Sequence, residues 1–157
     1  MTAVARTGEE AFRLVPCDEN GDPIEPLGAM SAALREACLA SAELYRKIGF
    51  RPPWVSYVAL SDGAPVGGGA FVGAPVDGRI EIAYFTLEGY EGRGHATNTA
   101  VHLCRIAREA MPGLTVVANT LPEDNASTAI LRKLGFARSG TTLDADVGEA
   151  WQWRIEP

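Results

Sequence analysis

From Glu91 the chain reads Glu-Gly-Arg-Gly-His-Ala-Thr, two glycines one residue apart that lead straight into a run of helical spacing. The first N–H groups of a helix have no partners inside it, and its dipole places positive charge there, so a glycine turn feeding a helix is a natural anion site. Gly92 and Gly94 allow the backbone to approach a ligand closely. The amides of Gly92, Arg93, Gly94, His95, Ala96 and Thr97 are the candidate donors, with the Arg93 guanidinium as an added charge, and the chemistry they suit is the cradling of a phosphate. The same residues also suit a tight strand-to-helix turn that binds nothing, and Gly-x-Gly-x-Ala alone does not separate the two.

Two familiar phosphate loops fail the comparison. A nucleoside triphosphate loop ends in Gly-Lys-Ser/Thr where this chain has Gly94-His95-Ala96, and a dinucleotide fingerprint needs glycine at the place of Thr97, within the first strand–helix unit. His95 and His102 lie seven apart, without the carboxylate or cysteine companions a metal site needs, so no metal is expected.

These residues need elements to hold them. Apolar alternation predicts strands over Ala11–Pro16, Trp54–Leu60, Pro65–Gly73, Arg79–Leu87 and Leu114–Thr120. "FARSG" and "VGEAWQWRI" read as a closing hairpin. Helical spacing predicts one broken helix or two between Leu27 and Ile48, a long helix over Ala96–Ala110 and a short one across "NASTAILRKLG". Asp77-Gly78 favours a type I′ hairpin turn. Gly67-Gly68-Gly69, inside an apolar strand, marks a bulge or the close approach of another backbone. The result is a mixed α/β sheet with helices on its faces, in one domain spanning residues 1–157.

The whole chain bounds what this domain does. At 157 residues and 46% hydrophobic it is large enough for one core. A net charge of −6 disfavours nucleic acid, which calls for a basic face, and mildly favours a cationic substrate. Cys17, Cys38 and Cys104 are odd in number and widely spaced, which suggests neither a disulfide framework nor a zinc site and suits the cytoplasm. The opening "MTAVARTGEEAF" is charged where a signal peptide is apolar, and no run is long enough to span a membrane.

The Gly92–Ala96 loop resembles the acetyl-CoA motif of the GNAT superfamily, Gln/Arg-x-x-Gly-x-Gly/Ala. With "EIAYFTLEGYEGRGHATNTAV" and "NTLPEDNASTAILRKLGF" in that order, the chain is similar to the branch of RimJ/RimL-type ribosomal-protein N-terminal acetyltransferases. The likeness runs from about Trp54 to Phe136, while Met1 to Pro53 agrees in layout only. It implies a mostly antiparallel sheet of about seven strands whose fourth and fifth splay apart at a bulge, and acetyl-CoA as cofactor. It implies an amine-bearing acceptor and, as one option, a homodimer. Phe85, Thr86 and Leu87 would offer backbone groups to the pantetheine arm, one of them polarising the thioester carbonyl; Asn125 would reach the pantetheine and Ser127 the sulfur. "PEDNAS" is equally suited to capping the next helix. The implied reaction is direct attack by a neutral amine, which needs a base. Glu81, an acidic residue in an apolar strand four positions before Phe85, is the candidate, with a solvent-facing position as the alternative; Tyr84, of opposite parity, is assigned to the core.

Two residues depart from the family's pattern. Glu91 puts a carboxylate at the start of an anion-binding loop, and Leu131 stands where many members have a tyrosine acid, which leaves Ser127 or water as proton donor. Both departures support a second reading, a non-catalytic acyl-CoA-binding sensor or scaffold. Trp54, Trp151 and Trp153, and Asp144, Asp146 and Glu149 around the last hairpin, are further candidates for an acceptor site. They suit core packing and a solvated acidic loop equally well.

Overall fold

A computed structural model describes residues 11–145 and 147–157. The charged amino-terminal stretch read against a signal peptide, and Asp146, therefore lie outside the described residues. The order is β1 (Phe12–Pro16), α1 (Ala32–Ile48), β2 (Ser56–Ser61), β3 (Ala64–Phe71), β4 (Arg79–Thr86), α2 (His95–Ala110), β5 (Thr115–Thr120), α3 (Ala126–Lys133), β6 (Ala137–Asp144) and β7 (Gly148–Ile155). The strands make one seven-stranded sheet, β1-β2-β3-β4-β5-β7-β6. All neighbours are antiparallel except β4 and β5.

Local chemistry accounts for the boundaries. α1 is one helix and starts later than its apolar spacing suggests, because the Ser31 side chain accepts from the Leu34 N–H and caps the helix there. It stops at Gly49, as expected. Asp62-Gly63 and Asp77-Gly78 both take positive φ at the two turn positions (49° and 82°, 51° and 73°), the type I′ geometry that matches strand twist. β6 runs on to Asp144, well past the "FARSG" predicted for it. Its residues are nearly all exposed at the sheet edge, so no apolar alternation announces it.

The helices cover opposite faces of the sheet. α2 lies over Gly69, where an added Cβ would sit 2.7 Å from a Thr99 methyl and 2.8 Å from a Leu103 methyl. Ile80, Ile82, Phe71, Val116, Leu103, Ala107, Leu131 of α3 and Trp153 form the main core on this face. Across the sheet, Leu34 and Cys38 of α1 pack with Val15, Val58 and Leu60. Cys17 Sγ and Cys38 Sγ lie 3.9 Å apart there as free thiols. Trp54 and Trp153 are core residues, while half-buried Trp151 lies under the Arg138 guanidinium.

β4 and β5 pair over only four residues, Arg79↔Thr115 to Ile82↔Ala118, and then part. The expected bulge is not what separates them. β4 keeps an unbroken register against β3 from Phe71↔Ile82 to Gly67↔Thr86, and the register shifts lie elsewhere, at Ala59/Leu60 and Arg138/Gly140. Each strand instead follows its own antiparallel partner: β4 stays with β3, while β5 turns with β7 as far as Thr120↔Trp151. Gly67 allows β3 and β4 to run close at that point, since a Cβ there would lie 2.3 Å from the Phe85 carbonyl oxygen. Because that neighbour is backbone, Gly67→Ala is expected to cost about 1–3 kcal/mol through a forced strand shift. Gly28→Ala, with nothing within 4 Å of the added Cβ, is expected to stay within about 0.5 kcal/mol of the parent. Urea unfolding midpoints of the two variants check this.

Candidate functional site

Where β4 leaves β5, its backbone alternation decides which groups are free. Glu81 O accepts from Val72 N–H and Leu87 N–H donates to Val66 O, so the odd-numbered residues of this segment point their backbone groups at β3. Those of Tyr84 and Thr86 consequently face the widening gap. Leu87 lies outside the gap altogether, its side chain buried with Val15 and Leu60.

The gap opens on a cleft of about 460 Å³, which Phe85, Thr86, Gly92, Gly94, His95, Ala96, Thr97 and Ser127 line together. Gly94 is the N-cap of α2 in the left-handed conformation (φ 82°) and supplies no side-chain cap. The first amides of α2 are therefore left without a capping partner, at the end of a helix whose dipole favours an anion. An added Cβ at Gly92 or Gly94 would meet nothing within 4 Å, so the space beside this turn is open. Arg93 does not line the cleft; its guanidinium lies 5.6 Å from the Tyr90 ring centroid. The Glu91 carboxylate accepts from Gly89 N–H at 2.9 Å, which ties it to its own loop. The donors and the open space fit a phosphate group, and the volume fits a cofactor arm.

Asn125 caps α3. Its side chain accepts from Thr128 N–H at 3.0 Å while Thr128 Oγ1 accepts from Asn125 N–H at 2.9 Å. That reciprocal cap places Ser127 in the first turn of α3, on the wall of the cleft. The Tyr84 hydroxyl donates to Ser127 O at 3.4 Å across the gap. Burial pushes this phenol well above its usual range, with Cys104 adding to the effect, so Tyr84 is a neutral donor at the mouth of the cleft. The assignment of Tyr84 to the core holds only in part: it packs against the core and lines the cleft as well.

Glu81 sits in a second cavity of about 630 Å³, on the sheet face beneath α1. Leu44 and Ser41 of α1 roof it, Asn119 of β5 stands across the gap, and Leu143, Asp144 and Val147 of the last hairpin close one side. Desolvation raises the pKa of Glu81 above the usual carboxylate range, and the nearby Asp144 charge raises it further. Neither Asn119 nor Tyr84 was singled out as a site residue in the sequence, although a polar residue near the end of the apolar "LTVVANT" was a signal for Asn119. A smaller cavity of about 250 Å³ lies between the two spaces, sharing Ala70 and Ala83 among others with the Glu81 cavity and Tyr84 and Phe85 with the cleft.

His95 stacks on Phe12, and His102 Nδ1 lies 2.8 Å from Asn98 O. Among the described residues no group of three His, Cys, Asp or Glu side chains converges as a metal site. No described helix is long and apolar enough to cross a membrane.

The family model of the acetyltransferase (GNAT) domain matches residues 29–137. No curated protein sequence matches the chain. Several solved structures share its fold. RimL, a ribosomal L7/L12 alpha-N-protein acetyltransferase in complex with coenzyme A, superposes with a TM-score of 0.67 at 14% identity, over 94% of this chain and 95% of that one. A Salmonella typhimurium acetyl transferase described as modifying the N-terminal serine of ribosomal protein L7/L12 gives 0.68 at 14% identity, over 95% and 96%. YncA, a putative acetyltransferase from Salmonella typhimurium with its cofactor acetyl-CoA, gives 0.62 at 15%, over 93% and 94%. The matched span contains the parted strands, the uncapped helix end and the capped α3 that meets them, and the chain belongs to the acetyltransferase (GNAT) domain family.

Proposed function

We propose that the chain, working as a single domain over residues 1–157, transfers an acetyl group from acetyl-CoA to a primary amine by direct attack in a ternary complex. The acceptor is a small molecule or a protein N-terminus, the setting is the cytoplasm, and a homodimer is the assembly to test. The observation that carries this reading is the succession of neighbouring cavities along β4, with uncapped helix amides at one end and a half-buried carboxylate at the other. The solved relative that modifies an N-terminal serine supports a peptide amine as one acceptor.

Acetyl-CoA, when bound, supplies an activated acetyl thioester. The protein's own groups then divide the work. The amides from Gly92 to Thr97 hold the phosphates, and Thr86, with Tyr84, presents backbone groups along the gap. Phe85 walls it. Asn125 fixes the first turn of α3, so that Ser127 keeps its place beside the cleft. Glu81 accepts the proton of the incoming ammonium, through water. Ser127 is the neutral donor on the cleft side, and the Tyr84 phenol, which donates to Ser127 O, braces it there.

Three outcomes are expected. Gly94→Trp is expected to keep the fold, since its Cβ meets no atom within 4 Å and the left-handed backbone costs only about 1–2 kcal/mol. The indole fills the cleft, and calorimetric titration should show acetyl-CoA and CoA binding lost. Retained binding in this variant would sink the cleft assignment.

Glu81→Gln should lower kcat by about 10²–10⁴-fold with acetyl-CoA affinity unchanged. A non-catalytic acyl-CoA sensor would show no turnover to lose. The raised pKa of Glu81 also has a stability consequence: the folded state holds this proton more tightly, so stability present at low pH is lost as pH rises through the folded pKa. At neutral pH the same Glu81→Gln change should therefore raise the melting temperature while it removes activity.

As the base, Glu81 works deprotonated, so kcat/KM rises with pH through a pKa above the ordinary carboxylate value of about 4.3. Asp144→Asn, which removes the like charge beside it, should move that limb to lower pH. A pH–rate profile of both proteins checks the direction.

A further inference from the structure

The cavity beneath α1 carries charged groups of one sign among the described residues that line it. Its ionisable lining residues are Glu81, Asp144 and Tyr45, and no Lys, Arg or His is among the described residues that line it. The Tyr45 hydroxyl donates to the Phe71 carbonyl, which removes it from ligand binding. Asn119 Nδ2 donates to Asp144 Oδ2 at 3.3 Å, an orientation fixed because the reversed amide would set oxygen against oxygen. Its Oδ1 is then left buried with no hydrogen-bond partner. Asp144 also accepts from Val147 N–H at 3.3 Å. The charged groups offered to a ligand are thus two carboxylates, with Asn119 Oδ1 as a further acceptor, the Ser41 hydroxyl able to donate or accept, and the remaining wall largely apolar: Leu44, Val72, Ile82, Leu121, Leu143 and Val147.

A ligand matched to these charges carries positive charge, donates to the carboxylates and to Asn119 Oδ1, and presents an apolar body. A free amino acid fails the test. Its ammonium matches, but the carboxylate on the adjacent carbon would be held near Asp144 and Glu81, where no described lining residue is Lys, Arg or His, and like charges at short range in a partly buried site repel strongly.

Building on the acetyl-transfer reading, we infer that the cavity selects acceptors whose amine has no neighbouring carboxylate, with Asp144 and Asn119 Oδ1 as the discriminating groups. Peptide N-termini, whose carboxyl is tied up in an amide, and plain alkylamines share this chemistry. Asp144 is a positioning and specificity group; the proton transfer remains with Glu81.

The test uses the full chain and four amines with one apolar body: leucine, leucinamide, leucyl-alaninamide and 3-methylbutylamine. Binding is measured by calorimetry with CoA present, and transfer by kcat/KM with acetyl-CoA. The three uncarboxylated amines are expected to exceed leucine at least about tenfold in both readouts. The alkylamine controls for basicity, since it is a stronger base than leucine and its advantage cannot come from a larger neutral fraction. Leucyl-alaninamide ahead of 3-methylbutylamine would mark a peptide as the source of the amine, and the reverse order a small molecule. Asp144→Asn is expected to narrow the preference over leucine several-fold.

Leucine binding and reacting as well as leucinamide would overturn the inference while leaving acetyl transfer intact. No amine binding to protein that still binds CoA would overturn it as well. Binding in the expected order without any transfer would uphold the charge selection and overturn the acetyl-transfer reading.

Discussion

The structure depends on a short parallel pairing. β4 and β5 hold each other for four residues and are then drawn apart by their antiparallel partners, which leaves a wedge in the middle of an otherwise continuous sheet. Backbone polar groups inside a protein must find partners, so a sheet that opens in this way creates a demand that a ligand can meet. Beside the wedge, Tyr84 and Phe85 line both a space on the α1 side and the cleft beside α2 and α3, so the cavities on the two sides of the sheet share a wall there.

Much of this was legible in the sequence, and the reasons are specific. The helix entering at His95 was announced by glycines with a structural duty, and the Asp-Gly turns by residues that tolerate positive φ. The triple glycine of β3 was read as a place where something comes close, and both an adjacent backbone and two methyl groups of α2 do. What escaped was set by contacts between distant segments. β6 is polar and lies at an edge, so its length is fixed by its ladder with β7, and only that length brings Asp144 beside Glu81. The separation of β4 from β5 was anticipated, but its cause was placed in a bulge when it lies in the divergent partners of the two strands. Tyr84 was judged by parity on an ideal strand, a rule that cannot register a gap opening alongside.

The two ends of the site are built from different material. The cleft end uses main-chain amides, one glycine turn and a reciprocal cap at Asn125 and Thr128. The other end uses side chains brought by α1, β4, β5 and the last hairpin. Its half-buried carboxylate is held in a form that costs stability and gains basicity, a trade common where chemistry is done. Burial accounts for most of that cost, and the Asp144 charge of the last hairpin adds to it.

A binding surface made of peptide amides places few demands on which side chains accompany it. Substitutions along the rest of α2 and its loop can accumulate without moving an N–H, provided the glycine turn and the core face survive. The cavity walls are under the opposite regime, since one exchange among Leu143, Asp144 or Val147 changes what fits. Sequence drift and change of acceptor are thus largely independent in this architecture.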